Sequence, residues 1–444
     1  EPDGTRETFQ QGRGPGFRGD DHVPAVGWTV GGALERRGIP AQDGHGGPDG
    51  RQRSGWDVCH AQNLAMGPAF ATGFAVVVGS PMVGAVHLAQ LRLRDYRNFL
   101  RLDAAFEPGF HLLLGRNAQG KTNLLEALYL VATLRSFRGV GGTQLIREGA
   151  KGYFVGATVE GQGRSEIKAF WSVRERRLTL NGTPVKRMSD YLGTFRAVVF
   201  CSEDIHLVKG APQFRRRFLD LLLAQTRPGY LALLLRYLQA LRARNALLKQ
   251  PRVDEDQLAG FSAELARLGQ PLIEARRELL PRLADVAKRS FERIAVGTDE
   301  LSLDYVPTVA GDFQVALAAS RSRERAQRTT LVGPHRDDLV LRVNGRAAGP
   351  YTSEGQKRSV AIALKMAQAE HLASVHGTAP VLLIDDVMGE LDAHRRAGFL
   401  PLLHQVHQSG GQVFMTCTEE NWPADLGRDW IRWTVSAGEL RRGV

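Results

Sequence analysis

Phe110-His-Leu-Leu-Leu-Gly-Arg-Asn-Ala-Gln-Gly-Lys-Thr122 carries an apolar run directly into the P-loop pattern G-x-x-x-x-G-K-[ST]. The residues that follow, 122–131, place apolar side chains at helical spacing, so the segment predicts strand, loop and helix in the order that this motif requires. Glycines at both ends of the loop let successive backbone N–H groups face one point, where a phosphate would bind at the helix N-terminus. The alternative is an ordinary glycine-rich turn, which explains the spacing of the glycines but not the apolar strand before them and the helix after them.

Lys121 and Thr122 end the loop with the two side chains that this motif uses. We predict that the Lys121 ammonium reaches the β- and γ-phosphates of ATP, where it also serves catalysis, and that the Thr122 hydroxyl ligates Mg²⁺. The other positions would bind phosphate mainly through the backbone. The predicted nucleotide-binding residues of the loop are Gly115, Arg116, Asn117, Ala118, Gln119, Gly120, Lys121 and Thr122.

A second apolar run, Val381-Leu-Leu-Ile384, is followed by two aspartates, as in a Walker B strand. Uniformly apolar residues indicate a parallel strand buried on both faces, and open α/β sheets bind ligands beyond the carboxyl ends of such strands. We predict that Asp385 holds the Mg²⁺ shell and that Asp386 orients and deprotonates the attacking water. A solvated Asp-Asp turn is the alternative. Asp385 follows Thr122 by 263 positions, which predicts a large insertion and argues against a small GTPase or a RecA-like motor core.

Ser353-Glu-Gly-Gln-Lys-Arg358 precedes a predicted helix over 360–369 and resembles the signature loop of ABC-type ATPases. In that type of fold the loop lies far from the P-loop of its own chain and caps the γ-phosphate bound by a second protomer. The resemblance therefore implies that Ser353, Gly355 and Gln356 complete the nucleotide site of a partner copy. The alternative is that Ser353 is only a helix N-cap followed by a polar first turn.

Further segments support a family assignment, in a fixed order along the chain with the three motifs. They are Leu91-Arg-Leu-Arg-Asp-Tyr-Arg-Asn-Phe99, Ser136-Phe-Arg138, Phe200-Cys-Ser-Glu-Asp-Ile-His-Leu-Val-Lys-Gly-Ala-Pro212, Arg215-Arg-Arg-Phe-Leu-Asp220 and Gly333-Pro-His-Arg-Asp-Asp338. With them, residues 86–443 resemble the RecF family, bacterial recombination mediators related to SMC-type ATPases. The resemblance implies an α/β fold, an ABC-type P-loop ATPase head of mixed sheet and helices with an inserted helical lobe. It also implies a weak, DNA-stimulated ATPase that forms a homodimer on ATP, binds DNA and acts with RecR and RecO to load RecA at single-stranded gaps in repair, replication and the SOS response.

Three departures from the wider ABC pattern predict slow hydrolysis. Glu354 stands where the signature loop usually has glycine, and Asp386 stands where a longer glutamate is usual. After the apolar run 411–415, Thr416 or Thr418 replaces the switch histidine and can hydrogen-bond a γ-phosphate without taking its charge. Two alternatives stay open: a transporter ATPase subunit, which would need a membrane partner, and a nucleotide-gated DNA-binding scaffold without meaningful turnover.

Composition agrees with a DNA-binding protein. The 444 residues carry a formal net charge of +11, which favours polyanionic partners. No apolar run reaches the ~18 residues that a membrane-spanning helix needs, and the scattered cysteines fit a reducing cytoplasm. Residues 1–81 are rich in glycine and lack lysine, so we predict that they are a disordered extension or an upstream read-through from a misassigned start.

The rest of the chain predicts two lobes. Residues 82–210 form an ATPase part with the P-loop, 211–330 a mainly helical lobe, and 331–444 an ATPase part with the signature loop and Walker B strand. Apolar faces predict helices from Pro212 to Ile294, the last of them kinked or broken at Pro271 and Pro281. The strands predicted before them are Val86–Arg94, Phe110–Leu114, Tyr153–Glu160, Ser165–Ser172, Arg177–Asn181 and Ala197–Phe200.

Arginine clusters are the predicted DNA contacts, although any one of them could be a solvated helix face. They are Arg215-Arg-Arg217, Arg236/Arg242/Arg244, Arg276/Arg277 and Arg321/Arg323/Arg325/Arg328. The sequence has no aromatic-interleaved run of the kind that stacks single strands. It therefore predicts a protein that contacts the backbone of duplex or junction DNA without sequence preference.

Overall fold

A computed structural model describes residues 86–161, 163–295, 297–418 and 430–443. The prediction for residues 1–81 lies outside this part of the chain. The strands are β1 His87–Tyr96, β2 Phe99–Ala105, β3 Gly109–Leu114, β4 Gly152–Glu160, β5 Arg164–Ser172, β6 Arg176–Leu180, β7 Thr183–Pro184, β8 Ala197–Phe200, β9 Leu301–Val306, β10 Asp338–Val343, β11 Arg346–Ala347, β12 Val381–Ile384, β13 Gln412–Cys417, β14 Ile431–Ser436 and β15 Glu439–Arg442. The α-helices are α1 Lys121–Thr133, α2 His206–Lys209, α3 Pro212–Thr226, α4 Tyr230–Leu248, α5 Glu255–Ile294, α6 Phe313–Gln327, α7 Ala348–Tyr351, α8 Glu354–His376, α9 Val387–Glu390 and α10 Ala393–Gln408.

A mixed six-stranded sheet carries the nucleotide motifs, in the order β15-β14-β3-β13-β12-β8. Neighbouring strands in this sheet run parallel, except for the antiparallel β14–β15 pair. Every residue of β8, β12 and β13 is buried, as expected for strands covered on both faces. Because β3 and β12 run in the same direction, the P-loop and the aspartate pair emerge at the same edge of the sheet.

A second, antiparallel sheet runs β2-β1-β4-β5-β6-β7 and packs one face against α1. The strands predicted in this region are present, and the Asn181-Gly182 turn joins β6 to β7 with positive φ at both residues. Strand β2, which pairs with β1 along its length, was not predicted from the sequence. Exposed and buried residues alternate from Arg101 to Ala105, so the period-two signal was there but short.

The inserted lobe consists of α3 to α6 and a small sheet, β11-β10-β9. Of the predicted kinks or breaks in the last long helix, a break is wrong, because α5 runs for 40 residues through Pro271 and Pro281. Packing of α5 against α4 and α8 buries one side of it and compensates for the hydrogen bonds that proline cannot donate. Since β9 pairs with β10 across residue 330, we propose that this lobe extends to about residue 351.

Several of the arginines predicted to contact DNA are buried in ion pairs. Arg244 is 1 % exposed and donates to Glu324 at 2.7 Å. Arg276 is 2 % exposed and donates to Asp220 at 2.7 Å, and Arg215 holds Asp338 through two nitrogens at 2.8 and 2.9 Å. These three arginines stabilise the helical lobe and are not available to contact DNA, whereas most other members of the clusters are exposed.

His111, at the centre of β3, makes the stability of the fold depend on pH. Its Nδ1 accepts the Trp433 indole N–H at 3.0 Å, and its Nε2–H donates to the Glu107 carbonyl at 2.7 Å, so the ring must be neutral. Burial lowers the pKa of His111 from 6.5 to about 4. The unfolded chain therefore takes up the proton first, and stability is lost as pH falls from 6.5 towards 4.

We expect the urea midpoint to fall between about pH 7.5 and about pH 5, and to fall less in His111→Gln, which removes the titrating group. If the urea midpoint falls equally with pH in both proteins, His111 is not the cause of the pH dependence. Both proteins keep the remaining histidines, so the comparison isolates this one ring.

Candidate functional site

The P-loop joins β3 to α1 with a backbone that requires its glycines. Gly115 has φ +153, and a Cβ there would lie 2.3 Å from the Val435 carbonyl oxygen. Gly120 has φ +115, and a Cβ there would lie 2.6 Å from the Asn98 amide. Any other residue at either position would collide with its neighbour and adopt a disfavoured backbone conformation.

Lys121 is the first residue of α1, and its side chain turns back into the loop. It is 4 % exposed, and its Nζ donates to the carbonyls of Gly115 at 2.7 Å and Arg116 at 3.1 Å. The ammonium group therefore lies inside the curve of the loop, beside the free N–H groups of the first helical turn. Positive charge and N–H donors at one point suit a phosphate.

A layer of hydrogen bonds that sequence analysis did not predict supports the loop. Asn98 donates to the Gln119 carbonyl at 2.8 Å and accepts from Asn123 at 2.8 Å. The Gln119 side chain, predicted to lie in the nucleotide site, accepts the Ala437 N–H at 2.8 Å and so holds the β14–β15 turn. Asn98 belongs to the 91–99 segment that supported the family resemblance, and that segment was the signal in the sequence that could have pointed to its role.

Below the loop, Glu126 of α1 is a fully buried carboxylate. Arg97 binds it through two nitrogens at 2.8 and 2.9 Å, and the Ser136 hydroxyl donates to it as well. The 91–99 and 136–138 segments thus meet at α1, although the sequence alone assigned them no role. Because the carboxylate is paired and hydrogen-bonded, it can fix the position of α1 in the core.

The predicted Mg²⁺ ligands meet at the end of the mixed sheet. Thr122 Oγ1 donates to Asp385 Oδ1 at 3.0 Å, and the Thr416 hydroxyl lies 3.0 Å from the same oxygen. Burial raises the pKa of Asp385 to about 6; hydrogen bonds from Thr416 and Thr122 oppose that shift, and the Asp386 charge adds to it. A nearby cation would restore the charged form.

This donor set fits Mg²⁺, which prefers hard oxygen ligands and binds through one or two carboxylates together with water and phosphate oxygens. Among the described residues, no group of three or more His, Cys, Asp or Glu side chains could hold a metal by itself. A site of one carboxylate and one hydroxyl therefore suits an ion that arrives with a nucleotide better than a resident metal.

Asp386 sits beside Asp385 in a left-handed conformation, with φ 55, and its side chain is exposed. Its N–H donates to Thr416 Oγ1 at 2.9 Å. Strained backbone of this kind is concentrated at functional sites, and here it turns Asp386 away from the strand. Thr416 is buried and tied to both aspartates, whereas Thr418, the other predicted γ-phosphate partner, is half-buried.

The Ser353 loop is a capped helix N-terminus, as the simpler interpretation predicted. Ser353 Oγ accepts the Gln356 N–H at 3.2 Å, and Gln356 Oε1 accepts the Ser353 N–H at 2.9 Å, which is a capping box at the start of α8. Gln356 also donates to Asp299 at 2.7 Å. Ser353 is exposed, and a Cβ at Gly355 would lie 2.8 Å from the Arg395 guanidinium. Within the described chain no hydrogen bond joins this loop to the P-loop.

Comparison with known proteins gives consistent matches. Residues 87–428 match the family model "RecF/RecN/SMC N terminal domain". The "DNA replication and repair protein RecF" of Synechococcus sp. (strain JA-3-3Ab) is 42 % identical over 72 % of this chain and 89 % of its own length. The protein of the same name from Symbiobacterium thermophilum is 38 % identical, with 77 % and 95 % covered.

Solved structures agree with the sequence relatives. A structure described as the recombination mediator protein RecF with ATP is similar with a TM-score of 0.75 and 30 % identity, covering 82 % of this chain and 99 % of the other. A second RecF structure, with ATPrS, has a TM-score of 0.74 at the same identity. The predicted α/β ABC-type head with an inserted lobe is confirmed. Among the described residues, no helix is both long and apolar enough to cross a bilayer.

Proposed function

The chain belongs to the RecF family, and from this membership and the site geometry we propose that it is an ATP-dependent DNA-binding protein of replication and repair. One observation carries the proposal: the hydrogen bond between Thr122 and Asp385 joins two motifs that lie 263 positions apart. The similar proteins are DNA replication and repair proteins by name, and one solved relative is described as a RecF–ATP structure.

In this proposal the backbone of residues 115–122 and the Lys121 ammonium bind the phosphates of ATP. Thr122 and Asp385 would hold Mg²⁺, which neutralises charge on the β- and γ-phosphates when bound. Asp386 orients the attacking water and takes its proton. The shorter side chain of Asp386 and the lack of a switch histidine at Thr416 keep turnover slow.

We propose that the site is completed by a second copy of the chain. Ser353 is exposed at the N-terminus of a long helix, and free N–H groups there favour an anion. Head-to-tail pairing would place each Ser353 loop on the γ-phosphate held by the partner's P-loop, and hydrolysis would loosen the pair. DNA, RecR and RecO are the proposed partners, with RecA loading as the downstream event and the cytoplasm as the location.

A mixture of two inactive variants tests this shared site. Lys121→Ala disables the P-loop, and Ser353→Glu places a carboxylate against the γ-phosphate. Neither variant alone should dimerise with Mg-ATP, because each homodimer has two defective sites. Mixed dimers have one intact site, formed by Lys121 of one copy and Ser353 of the other, so mixing should restore dimers in a sedimentation experiment.

Ser374→Glu is the matched control, because it introduces the same charge on an exposed serine at the far end of α8 and should dimerise normally. If mixing restores nothing while the control behaves as the parent protein does, each site lies within one chain and the shared-site proposal fails.

A scaffold without meaningful turnover is the second candidate, because the Thr416 hydroxyl is held by the two aspartates. Single-turnover ATP hydrolysis with and without DNA separates the two functions. Hydrolysis that DNA accelerates would exclude the scaffold, whereas none in either condition would exclude the ATPase.

A further inference from the structure

The antiparallel sheet has an outer face, opposite α1, that belongs neither to the nucleotide site nor to the Ser353 loop. Five residues form one row straight across it, here named the outer row. Each is the direct cross-strand partner of the next in the register of β2, β1, β4, β5 and β6. In order, the outer row is Arg101, Arg94, Phe154, Phe170 and Arg177.

Two phenylalanines lie side by side at the middle of the outer row. Tyr153 and Val155, on either side of Phe154, are buried in the core, so Phe154 points to the opposite face, and Phe170 is its direct cross-strand partner. Phe170 is 36 % exposed. A Cβ at Gly156 would lie 2.9 Å from the Phe154 ring, so that ring lies over a position without a side chain. Phe154 is half-buried, so the two rings form a partly exposed pair on this face that core packing does not explain.

Positive charge flanks the two rings. Arg94 and Arg101 are directly opposite each other, an arrangement that is destabilising for like charges. Neither forms an ion pair within the described part of the chain, and the Arg94 Nη1 atom is buried without a hydrogen-bond partner. A bound anion between the two guanidinium groups would offset their repulsion and give the Arg94 Nη1 atom a hydrogen-bond acceptor.

The adjacent row is balanced in charge. Arg92 and Lys168 both contact Glu166, at 2.6 and 2.7 Å, and Asp103 lies directly opposite Arg92. At the other end of the outer row, Arg177 pairs with the exposed Glu175. The outer face is therefore apolar at its centre, and its unpaired positive charge among the described residues lies at Arg94 and Arg101.

We propose that the outer row binds a single strand of nucleic acid, with unpaired bases on Phe154 and Phe170 and phosphates at Arg94 and Arg101. Aromatic rings beside cations are the usual platform for single strands, because every base has a face that can stack. A duplex conceals those faces inside its own stack. The row crosses five strands, about 19 Å at the usual strand spacing, which is long enough for more than one nucleotide.

This inference rests on the proposed function as a DNA-binding protein and assigns one surface to the unpaired strand of that DNA. The sequence shows no aromatic-interleaved run because the two rings are 16 positions apart and meet only through strand pairing. A protein that recognises gaps needs a surface for the unpaired strand, and the outer row has the required chemistry.

Fluorescence anisotropy with Mg-ATP tests the proposal, using a labelled oligothymidylate of about 30 nucleotides and a blunt duplex of similar length. Phe170→Ala should weaken oligothymidylate binding by about tenfold and leave duplex binding within about twofold. Phe170→Trp, which keeps a stacking ring, should bind as the parent protein does. Val173→Ala is the control, because it removes an exposed apolar side chain from the adjoining turn.

The outcomes separate the inference from the proposed function. Unchanged binding in Phe170→Ala, or equal losses for both probes, would overturn the stacking role. A parent protein that binds the duplex but not oligothymidylate would also overturn it, while the proposed function would stand. If the parent protein binds neither probe, the proposed function itself fails. Normal ATP-dependent dimerisation of each variant shows that the fold is intact.

Discussion

Asp386→Asn should lower the ATP hydrolysis rate by about 100-fold or more, because the amide cannot accept the proton of the attacking water. The ATP-bound dimer should then persist, since Asp385 and Thr122 keep their contact and the P-loop is unchanged. The substitution is conservative for the backbone: Asp386 has φ 55, and asparagine tolerates the left-handed region well.

Single-turnover hydrolysis and sedimentation velocity with Mg-ATP measure the two parts of this prediction. Asp190→Asn makes the same chemical change at an exposed carboxylate remote from the site and should behave as the parent protein does. If Asp386→Asn hydrolyses ATP at the parental rate, Asp386 is not the base. If it loses both hydrolysis and the dimer, its role is structural.

Arg276→Met should cost about 3–5 kcal/mol of unfolding free energy, the usual result of removing one partner of a buried ion pair. Arg276 lies between Asp220, at 2.7 Å, and Asp337, at 3.7 Å, and it also donates to the Pro334 carbonyl. Burial disfavours the charged guanidinium, but Asp220 and other neighbours hold the pKa of Arg276 well above its usual value. Methionine fills similar space and leaves the fully buried Asp337 without this partner.

Urea unfolding of the variant and of Arg323→Met checks this prediction. Arg323 is exposed on α6, so its replacement should change stability by less than about 0.5 kcal/mol. Equal unfolding midpoints for the two variants would mean that the ion pair contributes little to stability. Water or structural relaxation would then make up for the partner that the Asp337 carboxylate has lost. The contrast also tests the corrected role of Arg276, because a residue that only contacts DNA would affect affinity and not stability.

Much of the nucleotide site was predictable because its chemistry is local. The curve of residues 115–122 follows from glycine positions, and burial of Val381–Ile384 follows from an unbroken apolar run. The capping box at Ser353 uses residues three apart. In each case the backbone conformation of a few consecutive residues creates the feature, so it can be predicted from the order of residues along the chain.

Side-chain pairing between distant segments was decided by the tertiary structure. Arg215, Arg244 and Arg276 have the same local pattern as a solvated basic face, and only helix packing makes them buried partners of carboxylates. Phe154 and Phe170 become one surface through the β4–β5 register, since a shift of one residue would turn either ring to the other face. The sequence alone specified most of the elements and the phosphate loop, because those depend on neighbours along the chain. Which charges are buried, which rings are exposed and which threonine contacts Asp385 depend on neighbours in space, and those exist only once the sheets and helices have packed.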